Sequence, residues 1–154
     1  MEEQVAISKR RRKRKEGTNS ASPNARMKLT LRILLGDNIA MGPGKADLLE
    51  AIEKTGSISA AGRSIEMSYR RAWLLVDEMN RCFKSPLVTA AKGGAHGGGT
   101  QLTAAGKKVL EQYRQVESAT KQLAAAYFIV FQDLLAETPA PATKAKAELD
   151  GEEH

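Results

Sequence analysis

From Lys28 to Ile33 the side chains of Lys28-Leu29-Thr30-Leu31-Arg32-Ile33 alternate polar and apolar, which predicts a strand with one buried face. Gly36-Asp37-Asn38 supplies turn residues, and Ile39-Ala40-Met41 can pair back as the second strand of a hairpin. Gly42-Pro43-Gly44 breaks the chain, after which the period changes. Leu48, Leu49 and Ile52 share one face of a short amphipathic helix, 45–54, that stops at Thr55-Gly56. Ser57 caps a second helix from Ile58 to Ile65, Glu66-Met67 forms a tight connection, and Ser68 caps a third helix that ends near Phe83. Ile58, Ala61 and Ile65 are the inward positions of the second helix, and Met67 plugs the turn. Ala72, Val76, Met79 and Phe83 recur on one face of the third, while the small residues Ala61 and Gly62 let the two helices cross closely. This is a helix-turn-helix pattern.

Behind it, Leu87-Val88-Thr89-Ala90-Ala91 reads as a strand, the glycine-rich loop Lys92 to Gly99 turns the chain, and Thr100-Gln101-Leu102 returns as a short strand. A hairpin in that place is a wing. Thr103 caps a last helix in which Val109, Tyr113, Val116, Thr120, Leu123, Tyr127, Val130 and Leu134 follow steps of four and three, the spacing of a heptad seam. Leu110, Ala124, Phe128, Phe131 and Leu135 add a second apolar stripe. A monomer would leave that surface wet, so the expectation is a homodimer built on Val109, Tyr113, Val116, Leu123, Tyr127, Val130 and Leu134. The fold class is thus mainly α with small β hairpins: a winged helix-turn-helix DNA-binding domain, 27–102, followed by a long dimerisation helix, 103–135.

A chain of 154 residues has the length of about one domain, and an aromatic content of 5% argues against an all-β core. No apolar run is long enough to span a bilayer and no signal-peptide core begins the chain, so a cytoplasmic location and no membrane partner are expected. Cys82 is the only cysteine, and His96 and His154 are the only histidines. Neither a disulfide framework nor a metal centre has enough ligands, and no cofactor is expected. The glycine loop lacks the lysine of a nucleotide-phosphate loop, since Gly99 stands before Thr100, and Gly42-Pro43-Gly44-Lys45 lacks the third glycine of a dinucleotide fingerprint. With no nucleophile, base and orienting acid in prospect, an enzyme is not expected.

Charge is unevenly distributed. Residues 1–28 carry nine Lys/Arg against three Glu, residues 29–135 thirteen against ten, and residues 136–154 two against five. The cationic run Lys9-Arg10-Arg11-Arg12-Lys13-Arg14-Lys15, followed by linker composition, reads as part of a disordered basic tail, 1–26. Such a tail either solubilises the chain or draws it to nucleic-acid phosphates by counterion release. Residues 136–154 read as a disordered acidic tail.

The stretch Gly56-Ser57-Ile58-Ser59-Ala60-Ala61-Gly62-Arg63-Ser64-Ile65-Glu66-Met67-Ser68-Tyr69-Arg70-Arg71-Ala72-Trp73 resembles the helix-turn-helix of the molybdate-responsive ModE-type regulators, with Glu78-Met79-Asn80 behind it. Leu102-Thr103-Ala104-Ala105-Gly106 is similar to the corresponding stretch of that family and of the wider LysR-type DNA-binding domain. The resemblance covers about residues 28–135. It implies a winged helix-turn-helix that dimerises through the helix after the wing, binds operator DNA and controls molybdate or metal-oxyanion genes. Full-length members add C-terminal domains for molybdate or tungstate, and this chain is expected to lack them.

The candidate DNA-binding residues are Ser57, Ser68, Tyr69, Arg70, Arg71, Trp73, Lys92, Gly94, His96 and Thr100. A recognition helix reads double-stranded DNA mainly from its N-terminal turns, which selects residues 68 to 73. Arg70 and Arg71 each have the fork to grip guanine O6 and N7 or to clamp a phosphate. Trp73 lies against the sugar-phosphate backbone or covers the core. Ser57 and Ser68 are caps whose helix ends also suit phosphate, although capping alone accounts for Ser57. The wing loop, with Lys92 and His96, contacts the backbone closely or has no fixed contact. No tight molybdate or tungstate site is expected, and any oxyanion held at the helix starts near Gly44-Lys45 or Ser57 should bind weakly. The rival reading is a ligand- or partner-binding assembly module with only non-specific DNA binding.

Overall fold

The computed structural model describes residues 24–93 and 99–141. The chain divides into two units: residues 27–127, and a second containing residues 1–26 and 128–154. Among the described residues there are two small antiparallel strand pairs and four helices, an arrangement compatible with a winged helix.

The first strand pair joins β1 (Ile33–Leu35) to β2 (Asn38–Met41) across Gly36, which adopts φ 58°. The expected strand over residues 28–33 is displaced: β1 begins only at Ile33, and the register slips between Ile33 and Leu34. The physical reason lies at Leu31, whose carbonyl accepts the Tyr113 hydroxyl at 2.9 Å instead of entering a ladder. Leu31 packs against the core, whereas Leu29 and Ile33 remain exposed, so the alternation does not produce one buried face.

Helix α1 (Pro43–Thr55) starts with proline in its first turn and ends at Gly56, whose left-handed φ of 68° lets its N–H reach the Ile52 carbonyl. Its inward residues Leu48, Leu49 and Ile52 are fully buried. Helix α2 (Ile58–Ser64) is capped by Ser57, whose hydroxyl accepts the Ala60 N–H. Helix α3 (Tyr69–Cys82) is capped in the same way by Ser68 and Arg71 N–H. Both caps stand where the sequence spacing puts them. Between them Glu66 takes φ 56°, and Met67 N–H returns to the Gly62 carbonyl at 2.8 Å. A Cβ at Gly62 would lie 3.1 Å from the Met67 carbonyl oxygen and 3.4 Å from the Ala72 methyl, so the close α2–α3 crossing depends on that glycine.

Ala72, Val76 and Met79 turn α3 into the core. Phe83 follows as an extended, half-buried residue rather than as a helical one. The second strand pair, β3 (Val88–Ala90) with β4 (Thr100–Leu102), sends Val88 and Leu102 inward. Thr100 N–H donates to the Gly56 carbonyl at 2.8 Å, tying this pair to the α1–α2 connection.

Helix α4 (Ala104–Leu134) begins behind Thr103, whose hydroxyl accepts the Gly106 N–H at 3.0 Å. Its first turns belong to the same core as the other helices: Leu110 and Tyr113 are 7% and 2% exposed. The sequence pattern places both on apolar stripes that face a partner, whereas the fold buries them within the chain itself. Tyr113 in particular is a core residue with its hydroxyl bonded to Leu31, and a four-three spacing alone does not separate that role from a seam. Arg114 fastens the same stretch to α1 by ion pairs to Asp47 at 2.6 Å and Glu50 at 2.7 Å, with Glu117 of its own helix at 3.0 Å. The hydrogen bonds that the guanidinium donates, to Glu50 foremost and then to Asp47 and Glu117, raise its pKa further and keep it charged.

Candidate nucleic-acid interface

Helix α3 is anchored from behind and open in front. Its buried stripe, Ala72, Val76 and Met79, leaves Ser68, Tyr69, Arg70, Arg71 and Trp73 exposed around the first turns. Tyr69 and Trp73 meet edge to face, with ring centroids 6.1 Å apart. Trp73 is 46% exposed and does not belong to the buried core cluster. Leu74, beside them, is also exposed.

Two hydrogen-bonded devices hold α3 in place. Lys45, 4% exposed in the first turn of α1, donates to Glu78 of α3 at 2.8 Å and to the Ile39 carbonyl of β2. Asn80, in the last turn of α3, accepts N–H groups of Leu87 and Val88 at 2.9 and 3.1 Å and donates to the Val88 carbonyl at 3.0 Å. Arg63 of α2 bonds Ser59 within its own helix, leaving the α2–α3 contact to small and apolar side chains. The helix therefore has a defined pitch relative to α1, β2 and the β3–β4 pair, which a side chain reading base edges requires.

The other sequence-derived candidates are more scattered. Ser57 is half-buried and engaged as a cap, Thr100 is half-buried in β4, and Lys92 is exposed just after β3. Gly94 and His96 lie outside the described residues, as do the cationic run 9–15 and the acidic close of the chain. Of the seam residues in the 27–127 unit, Val109 is half-buried and Tyr113 buried, whereas Val116, Leu123 and Tyr127 are exposed. In the other unit Val130 and Leu134 are exposed, together with Ile129, Phe131 and Leu135.

Lys45 enters the sequence reading as a helix start, Asn80 as part of Glu78-Met79-Asn80 and Arg32 as a polar position of the 28–33 alternation, none with the surroundings that the fold gives it. Lys45 did carry a signal, because a cation in the first turn of a helix opposes the helix dipole and needs a compensating partner. The partner is Glu78, distant in sequence and visible only in the fold. No group of three or more His, Cys, Asp and Glu side chains suited to a metal ion occurs among the described residues. No helix among them is long and apolar enough to cross a membrane.

No protein-family model matches the chain. Among curated proteins, 87 residues are 45% identical to the molybdenum-pterin-binding protein MopB of Rhodobacter capsulatus, covering 56% of this chain and 32% of that one. The molybdenum transport protein ModE of Azotobacter vinelandii is 44% identical over 78 residues, 51% of this chain and 29% of its own length. The DNA-binding transcriptional dual regulator ModE of Escherichia coli K12 is 36% identical over 85 residues, 55% of this chain and 32% of its own. The chain is therefore related, over about half of its length, to ModE regulators and Mop molybdenum-pterin-binding proteins, and it spans about a third of the length of these relatives.

Proposed function

We propose that this chain is a sequence-specific DNA-binding transcriptional regulator of the ModE type, acting on molybdate or other metal-oxyanion genes. In this reading residues 27–102 form a winged helix-turn-helix, α3 enters the major groove, and the β3–β4 hairpin lies on the flanking backbone. The observation that carries it is the exposure of Ser68, Tyr69, Arg70, Arg71 and Trp73 on a helix whose opposite face is locked into the core. The name of the Escherichia coli relative, a DNA-binding transcriptional regulator, supports the same reading. A homodimer through α4 completes it, because Val116, Leu123 and Tyr127 are exposed apolar side chains on one helix.

The Mop relatives, named for molybdenum-pterin binding, keep a second reading in view: a ligand- or partner-binding module that meets DNA only through charge. One experiment separates the two. Genomic fragments are selected on the full chain, and the affinity of the recovered sequence is compared with that of scrambled DNA over a range of salt. A regulator prefers its own sequence by about a thousandfold or more, whereas the module binds both alike and loses both steeply as salt rises.

A further inference from the structure

A concavity of about 150 Å³ opens between the residues preceding β1, the start of α1 and the side of α3. Arg32, Gly44, Lys45, Arg71 and Glu78 are among its lining residues. Three cations thus face one carboxylate, and that carboxylate already has its partner, since Lys45 holds Glu78 at 2.8 Å with a side chain only 5% exposed. What remains uncompensated is the pair of guanidiniums. Neither Arg32 nor Arg71 makes an ion pair among the described residues. The two come from elements far apart in sequence. The Arg32 stem runs beside Gly42, where an added Cβ would sit 3.7 Å from Arg32 Cγ, while Arg71 comes from the first turn of α3.

The pattern of α3 explains the convergence. Arg71, Leu75 and Glu78 follow helical steps of four and three and line the concavity together. Arg70 is not among the lining residues and stands on a neighbouring stripe with Trp73 and Leu74. The two adjacent arginines therefore have separate surroundings. Arg71 shares a recess with a second arginine, and Arg70 stands among exposed apolar and aromatic side chains.

We infer that this recess clamps one backbone phosphate of bound DNA between Arg32 and Arg71, leaving Arg70 to read base edges. The inference rests on the DNA-binding reading above. Two planar guanidiniums suit the oxygens of one tetrahedral anion, and charge-assisted bonds of this kind are the strong ones. The Lys45–Glu78 pair serves the clamp by neutralising the one carboxylate that would repel the phosphate. A phosphate held there fixes the register of α3 in the groove without itself reading sequence. The same chemistry would accept a free tetrahedral oxyanion, and the test distinguishes the two sources.

The test measures DNA affinity against salt for the full chain, using a duplex recovered by the genomic selection and a scrambled one. Arg32→Ala should weaken both duplexes by roughly tenfold, the equivalent of about 1.4 kcal/mol, and lower the salt slope by about one per bound chain. Arg32→Lys should recover most of the slope. Arg32 is exposed, so the circular dichroism and melting of the variant should match the parent. Single methylphosphonate substitutions should locate one phosphate per half-site whose neutralisation weakens the parent more than it weakens Arg32→Ala, in which only Arg71 still meets that phosphate. If Arg32→Ala binds both duplexes as the parent does while the parent prefers the selected sequence, the clamp is refuted and the regulator reading stands. If the parent shows no preference between duplexes, the regulator reading fails. Should inorganic phosphate or molybdate then saturate the DNA-free parent but not Arg32→Ala, the recess belongs to a free anion and the DNA clamp is refuted.

Discussion

Asn80 and Val88 exchange two hydrogen bonds: the side-chain nitrogen donates to the Val88 carbonyl at 3.0 Å, and the side-chain oxygen accepts the Val88 N–H at 3.1 Å. The same oxygen accepts the Leu87 N–H at 2.9 Å, so one amide group joins the end of α3 to the start of the β3–β4 pair. Pro86 precedes this junction, and its carbonyl accepts the Thr103 hydroxyl at 2.6 Å. The direction of the hairpin is consequently coupled to the helix proposed to read DNA.

Asn80→Ala should destabilise the fold by about 1 to 3 kcal/mol, because three partly buried backbone groups lose their partner. Asn80→Asp keeps the acceptor and loses the donor, so it should fall between the parent and alanine. Urea unfolding of the three proteins checks the order.

Gly106→Ala should be destabilising although alanine is the better helix former by about 1 kcal/mol. A Cβ at this position would lie 2.1 Å from the Leu87 carbonyl oxygen, which also accepts the Thr103 N–H. Backbone must move, at a cost of about 1 to 3 kcal/mol. Thermal melting of the variant decides the sign.

Tyr113→Phe should cost about 1 kcal/mol through the lost bond to the Leu31 carbonyl and should also change the alkaline behaviour. Burial first, and the charge of Glu117 second, raise the Tyr113 pKa above the ordinary 10.0. The folded chain therefore holds the phenolic proton more tightly than the unfolded chain. Its stabilising contribution is whole below the ordinary value and declines as pH rises through the higher folded value. Phenylalanine removes that decline. Urea midpoints measured across this alkaline window should converge between parent and variant as pH rises.

Leu123→Glu together with Tyr127→Glu should give a monomer in sedimentation where the parent gives a dimer. These side chains are 63% and 67% exposed, so the substitutions cost little within one chain. DNA affinity should fall by at least about tenfold, because each half-site is then held alone. An unchanged sedimentation coefficient would move the interface elsewhere.

Arg70→Ala should alter sequence preference, losing about 1 to 3 kcal/mol on the selected duplex and little on scrambled DNA. Its neighbour in the phosphate clamp weakens both duplexes alike. Arg70→Lys should not restore discrimination, since an ammonium lacks the planar fork.

Much of the local structure is readable along the chain. The Ser57 and Ser68 caps, the left-handed stop at Gly56 and the inward triplet Ala72, Val76 and Met79 follow from hydroxyl geometry, glycine's freedom at positive φ and the 3.6-residue period. All of these are interactions between residues a few positions apart, and they mark out the helix-turn-helix pattern before any fold is known.

What tertiary structure alone decided is which apolar stripe meets which partner, and which charges are already compensated. Leu31 alternates as a strand residue should, yet its carbonyl belongs to Tyr113, 82 positions away. Tyr113 keeps heptad spacing but is buried by its own chain, while Leu123 and Tyr127 at the same spacing are not. Arg32, Lys45, Arg71 and Glu78 are four unrelated letters until α1 and α3 pack and bring them around one recess, where a single pairing neutralises two of them. Periodicity reports the side of an element that avoids water, whereas the identity of a contact depends on chain closure over long separations, which no local period encodes.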